Sequence, residues 1–457
     1  MTSDADLAFW VVVWAIVAVF LLVRHWRDGA GTGLLFAYVL GFGALHWFCA
    51  VLYLLPWHMG YNGWLTAEGL RQSGIAILAL AAGAEVVAQF ARRGQLGEAK
   101  TLAPAPVDDR LVRLYFLAGG LLFVCVMPLA GRVASLTAFV STGSLLVVVA
   151  VSLCCWNAWV RGQRGRFWFW LLASCIWPLV TIVGQGFLGY GLGFTLMTFT
   201  FVAAFYRPRW RVAVATVLLG YLGLSVYVTY MRDRRDIREV VWSGAALADR
   251  IASVETTFLD PEFFDFHRTD HLMRVEERLN QDALVGAAVA YLASRPHELA
   301  RGATFVQALA ALVPRAIWPN KPVVGGSGDL VTTYTGIRFA EGTSVGIGQV
   351  MEAYVNFGRD GVVVLFFVLG GVIVWVDRWS ALRLRQGDGT AFLVWYLPGL
   401  CLLQVGGSLS EMTAAAAASW VMAFMVNRVA AYKRWTHGDD SVNASTPEAA
   451  IHQSEVR

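Results

Sequence analysis

The sequence is poor in charge. Asp, Glu, Lys and Arg make up 15% of its 457 residues, against about 25% in an ordinary soluble chain. It has no paired cysteines. Cys49, Cys125, Cys154, Cys155, Cys175 and Cys401 all lie in apolar runs, and none belongs to a CxxC, so neither a disulfide framework nor a zinc site is indicated. There is no HExxH and no Ser/His/Asp arrangement. No Gly-Lys-Ser/Thr follows the glycines at 325–328, and no metal cluster is evident; metalloprotease, serine-hydrolase and P-loop chemistry are therefore not expected. The net charge of +4 is spread along the chain without a basic domain, which argues against a nucleic-acid partner. The first apolar run, 7–23, follows Asp4 and Asp6 where a secretory leader would carry a basic stretch. It also ends without a small-residue cleavage site, so it is expected to be a retained span.

What the sequence does have is hydrophobic length. Apolar residues make up 57% of the chain, with 19 Trp and 27 Phe, many near the ends of apolar runs as in an interfacial aromatic belt. Runs of 17–25 residues are long enough to cross a bilayer. About eleven occur, at 7–23, 33–55, 70–90, 111–130, 133–155, 167–187, 188–206, 212–230, 359–378, 391–409 and 412–431. Gly184, Gly186, Gly189, Gly191 and Gly193 leave a re-entrant hairpin as the alternative to two spans at 167–206. The fold expected is all-α: a polytopic integral membrane protein of about eleven transmembrane helices (10–12).

Basic residues collect in alternate short loops, after spans one, three, five, seven, nine and eleven, whereas 56–69 has none. By the positive-inside rule the N-terminus is then outside and the C-terminus cytoplasmic. This divides the chain into an N-terminal bundle of about eight spans (1–230), a large external loop (231–358), a three-span C-terminal bundle (359–431) and a disordered cytoplasmic tail (432–457). The loop carries 13 Lys and Arg and 16 Asp and Glu, and a loop of that length is generally folded or functional. Within it, 281–294 and 304–313 read as short apolar helices that lie on or dip into the interface.

Three clusters there suit chemistry. Arg232, Arg235 and Arg238, with Glu239, share one face if 232–239 is helical. They form either an interfacial anchor paired with nearby Asp, or an anion site. Arg315, Trp318 and Lys321 sit among three prolines. They read as an interfacial turn, or as a site where Trp stacks on a sugar while the cations hold phosphate. Tyr334, Arg338 and Glu341 follow on a glycine-flanked segment that suits a lid. Gln349, Glu352 and Asn356 fall on one helical face at i, i+3 and i+7. A carboxylate entering an apolar environment needs a partner or takes up a proton. Glu352 is thus either paired with an arginine or a general base.

Leu312-Val-Pro-Arg-Ala-Ile-Trp-Pro-Asn-Lys-Pro322, a glycine-rich gap and Gly348-Gln-Val-Met-Glu-Ala-Tyr-Val-Asn-Phe-Gly358 leading into a span resemble the oligosaccharide repeat-unit polymerases of O-antigen and exopolysaccharide synthesis (Wzy-like). The resemblance covers about residues 310–375 and elsewhere rests on many spans with one large late loop. It implies a bacterial inner-membrane enzyme acting on undecaprenyl-diphosphate-linked oligosaccharide at the periplasmic face. The growing glycan passes to a terminal hydroxyl of a new lipid-linked unit. Neither a nucleotide nor any other cofactor is implied. The implied partners are the bilayer, a chain-length regulator and a flippase. On that reading Glu352, Arg315 and Arg232 are catalytic, with Glu341 the second choice of base. Arg235, Lys321, Arg338, Trp318, Tyr334, Glu341 and Asn356 bind substrate. A flippase, an O-antigen-ligase-like transferase or a non-catalytic assembly subunit are the alternatives. Nearly charge-free span interiors and the lack of matching halves favour an enzyme over a transporter.

Overall fold

The computed structural model describes residues 4–58, 60, 62–93, 102–126, 134–207, 209–313, 318, 320, 326–339 and 345–443, with side chains except at 134–138 and 433–443. Every regular element among them is helical. In order these are α1 (Asp4–Asp28), α2 (Leu34–Leu52), α3 (Gly63–Arg93), α4 (Asp109–Leu121), α5 (Ala134–Val160), α6 (Arg164–Gln185), α7 (Leu188–Phe205) and α8 (Arg209–Trp242). Then follow α9 (Leu247–Leu259), α10 (Thr269–Leu279), α11 (Gln281–Ala293), α12 (Ala303–Ala311), α13 (Ser327–Thr335), α14 (Gln349–Arg385), α15 (Gly389–Cys401) and α16 (Leu409–Asn443).

Among the described residues nine helices are long and apolar enough to cross a membrane: α1, α2, α3, α5, α6, α7, α8, α14 and α16. The chain is a multi-pass helical membrane protein. Large apolar side chains such as Ile16, Leu172 and Val217 are more than 60% exposed on outward faces, where lipid is the fitting solvent.

Two of the eleven expected runs, 111–130 and 391–409, are not among these nine helices. The helix at the run 391–409 is α15, with only 13 residues, about 20 Å of helix, short of the roughly 30 Å hydrocarbon layer. Beyond Cys401 the chain is irregular to Ser408. The run 111–130 starts as α4 and a π-helical turn to Val126, and its end lies outside the described residues. The 167–206 region forms two long helices, with Gly186 in the left-handed conformation ending the first. The helix α16 continues to Asn443, into the stretch expected to be a tail.

Small residues let the central helices touch. A Cβ on Gly83 of α3 would fall 1.8 Å from the Phe367 carbonyl oxygen, and one on Gly370 of α14 would fall 2.1 Å from that of Leu80. This close approach of backbones is how helices associate without a hydrophobic driving force in lipid. At the end remote from the large loop, buried charges tie the same helices together. Asp377 of α14 accepts the Thr32 N–H and hydroxyl, each at 2.7 Å, and meets His25 of α1 at 3.1 Å. Arg378 pairs with Asp28 of α1.

The segment between α8 and α14 is largely folded. The junction of α10 and α11 packs against α2 and α3. Asn280 donates to the Thr66 hydroxyl at 2.9 Å, and Asp282 lies 2.6 Å from His46 Nδ1. Burial raises the Asp282 carboxyl above its ordinary range, an effect that His46 and Ser73 oppose.

Candidate functional site

The site is built where two helices are interrupted. The first break is in α14, at Phe357 (φ −140°, ψ 24°) and Gly358 (φ 61°, ψ −146°). A Cβ would strain the positive φ, and glycine avoids this. One face of the two turns before the break is interior: Gln349, Glu352 and Asn356 are each 0% exposed. They occupy the shared face expected from their spacing. Gln349 accepts from the Tyr38 hydroxyl at 2.6 Å and donates to the Gln404 carbonyl at 3.2 Å. Asn356 donates to the Thr304 hydroxyl at 2.7 Å and accepts the Gly302 N–H at 2.9 Å.

The second break is the irregular stretch between α15 and α16. It is zipped to the segment before α14 by two backbone bonds, Gly348 N–H to Gly406 O and Gln349 N–H to Val405 O, both 3.1 Å. The start of α11 joins them, since Gln281 donates to the Gly346 carbonyl at 2.8 Å.

These breaks bring Glu352 to the N-terminus of α16. Its Oε2 accepts the Leu409 N–H at 2.6 Å. Its Oε1 is buried without a hydrogen bond, and the Thr304 hydroxyl lies close to the carboxyl. Ser408 and Glu411 form a reciprocal capping box, with Ser408 Oγ accepting the Glu411 N–H at 3.2 Å and Glu411 Oε2 accepting the Ser408 N–H at 3.0 Å. The box leaves the Leu409 N–H, one of the helix's unpaired donors, to Glu352. The positive end of the helix dipole then favours a carboxylate there. No arginine of the 232–239 stretch pairs with Glu352 among the described residues.

Glu411 also reaches outward, accepting from the Ser327 hydroxyl at 3.0 Å and so anchoring α13 beside the site. Tyr334 of α13 is half-buried. Burial, and then the nearby Glu352 carboxyl, push its hydroxyl above the ordinary tyrosine range.

The arginine stretch is helical, as the expectation required, because α8 runs unbroken to Trp242. Its arginines divide by face. Arg232 is neutralised: it bonds both oxygens of Asp233 at 3.0 Å, the Thr257 carbonyl at 3.2 Å and Glu262 at 3.3 Å. Glu262 is a hub, also accepting from His271 at 2.9 Å and Arg274 at 3.1 Å. The ligand atoms of Glu262, Asp270 and His271 lie within 4.8 Å of one another. However, His271 Nδ1 accepts the Asp265 N–H at 3.1 Å, which leaves its proton on the nitrogen facing Glu262. With Arg232, Arg268 and Arg274 around it, the cluster suits ion pairing better than a cation.

Arg235 is exposed, and neither it nor Arg234 makes a hydrogen bond or ion pair among the described residues. Arg234 and Arg238 sit one turn apart and face Arg278 of α10. Burial, and then the Arg234 charge, push Arg278 below the ordinary arginine range. Arg238 donates to the Gly186 carbonyl at 3.1 Å and lies over the Phe187 ring at 4.5 Å. Arg234, Arg238 and Arg278 therefore form a wall of guanidinium groups along α8 and α10.

Of the other expected residues, Trp318 is 43% exposed. Arg338 is exposed and makes no hydrogen bond or ion pair among the described residues. Arg315, Lys321 and Glu341 lie outside the described residues. The residues not singled out from sequence are Arg234, Arg278, Leu409 and Glu411. For Glu411 a signal was present, since Ser408-x-x-Glu411 before an apolar run is a capping-box pattern. No protein-family model, curated protein or solved structure matches this chain.

Proposed function

We propose that the chain is a glycosyltransferase-type polymerase that joins undecaprenyl-diphosphate-linked oligosaccharide units at the periplasmic face of a bacterial inner membrane. The observation that carries this reading is the Glu352 carboxyl, buried, held through one oxygen by Leu409 and free at the other. Such a group is suited to taking a proton from an acceptor hydroxyl. The hydroxyl oxygen then bonds to the donor's anomeric carbon, the bond from that carbon to the diphosphate breaks, and undecaprenyl diphosphate leaves as an anion. The leaving charge needs cations, and Arg234, Arg238 and Arg278 supply them. Arg315, Lys321 and Arg338 would add to them from the loop, with Arg235 at the rim. Trp318, Tyr334 and Asn356 would border the sugars, and Glu341 is the second choice of base. Arg232, expected to be catalytic, is here a brace for α9 and α10. The resemblance over 310–375 supports the substrate class.

The experiment is reconstitution of the purified protein in vesicles with a lipid-diphosphate-linked oligosaccharide. Products of two or more joined units, with one undecaprenyl diphosphate released per bond, are expected; their absence with a range of donors contradicts the reading. A transporter of the same lipid is the second reading, favoured by the buried pairs Asp28–Arg378 and His25–Asp377 within the bundle. Movement of the lipid across the vesicle without joining would select it.

A further inference from the structure

We infer that α12, together with Phe357 at the break in α14, is a membrane contact that brings the hydrocarbon of one leaflet to within a single helix of the Glu352 carboxyl. Residues 302–313, Gly-Ala-Thr-Phe-Val-Gln-Ala-Leu-Ala-Ala-Leu-Val, contain no charge. The inner face of α12 is committed to the site. Thr304 and Ala308 are buried, Thr304 accepts from Asn356, and the Ala308 carbonyl accepts from the Thr413 hydroxyl at 2.8 Å. Its outer face is bare hydrocarbon: Val306 is 67% and Leu309 65% exposed. Phe357 extends this patch. It is 49% exposed, and its ring lies 5.8 Å from that of Phe305. Exposed Arg301 and Arg359 flank it, as cations flank apolar surface at a headgroup boundary.

The occupant follows from what α12 covers. On α16, Thr413 shares a helical face with Trp420 and Phe424, seven and eleven residues on. Those two are 54% and 61% exposed on a membrane-crossing helix, so that stripe meets lipid. The helix α12 lies over the outer end of the same stripe, against Leu409, Met412 and Thr413. It stands where lipid would otherwise lie, and its own outer face continues the lipid-facing surface. In water this uncharged patch would have no favourable partner. Against acyl chains it needs none.

Nitroxide collision measurements on the full chain in vesicles test this. Labels are placed at Leu309→Cys and, separately, Val306→Cys, with the exposed Cys125 and Cys175 replaced by Ser; a label at Glu298→Cys in the same loop is the reference. The expectation is several-fold greater accessibility to oxygen than to a water-soluble nickel chelate at 306 and 309, reversed at 298. Greater accessibility to the nickel chelate at either patch position, in folded protein, overturns the inference. Either position suffices if the other variant fails to fold. The measurement does not use activity, so it stands or falls separately from the polymerase reading.

Discussion

The Glu352 carboxylate accepts the backbone N–H of Leu409 at 2.6 Å across 57 residues of sequence. One side chain thereby caps a helix that it does not belong to and keeps its second oxygen free. Glu352→Gln retains an acceptor for Leu409 and should cost less than about 1 kcal/mol. Glu352→Ala leaves the buried N–H unsatisfied and should cost about 1–3 kcal/mol. Thermal unfolding in detergent checks this; equal losses for the two variants would show that the contact does not cap α16.

The capping box beside it has its own signature. Ser408→Ala should cost about 1 kcal/mol, as loss of an N-cap does. Glu411→Ala should cost a similar amount and in addition release α13, since Glu411 also holds Ser327. Hydrogen exchange over 327–335 should rise in the Glu411 variant and stay unchanged in the Ser408 variant.

The arginines of α8 should separate into two kinds. Arg232→Ala breaks bonds to Asp233, Thr257 and Glu262 and should destabilise the fold by about 0.5–3 kcal/mol. Arg234→Ala removes no hydrogen bond or ion pair among the described residues and should change stability by no more than about 0.5 kcal/mol. It should instead weaken use of a diphosphate-linked substrate, read as a raised KM. If Arg232→Ala alone impairs activity in stable protein, the guanidinium wall is misassigned.

Much of this site was legible in the sequence, and the boundary of legibility is physical. The face formed by Gln349, Glu352 and Asn356 followed from spacing, and the start of a span at 359 from the change to an apolar run. Both depend on neighbours in the chain. The partner of Glu352 did not follow, because Leu409 offers a backbone group that any residue type would offer. Nor did the division between Arg232 and Arg234. It depends on Asp260 and Glu262, about thirty residues on, which approach α8 only because α9 folds back along it. The run 391–409 read as a span by hydropathy, and nothing local signals that α15 stops at Cys401 so that Val405 and Gly406 can meet Gly348 and Gln349.

The Glu262 hub gives a pH dependence. Burial raises its carboxyl, but hydrogen bonds from His271, Arg232 and Arg274 outweigh that and hold it below the ordinary range. Asp270 is likewise lowered, first by Arg268. A folded-state value below the unfolded one means stability that is present above the unfolded value and is lost as pH falls through the folded one. The docking of α10 on α8 should therefore hold at neutral pH and weaken below about pH 4, where unfolded carboxylates protonate. Protection factors over 262–276 should fall there in wild type and show a smaller step in Glu262→Gln, where Asp270 still titrates.

The central claim is that Glu352 takes the proton from an acceptor hydroxyl. It is tested most directly by the turnover of purified wild type and Glu352→Gln on one lipid-diphosphate-linked oligosaccharide, at matched protein and unchanged thermal stability. Loss of a general base should lower kcat by about 10²–10⁴-fold with KM little changed. Joining of units at the wild-type rate by Glu352→Gln would contradict the account.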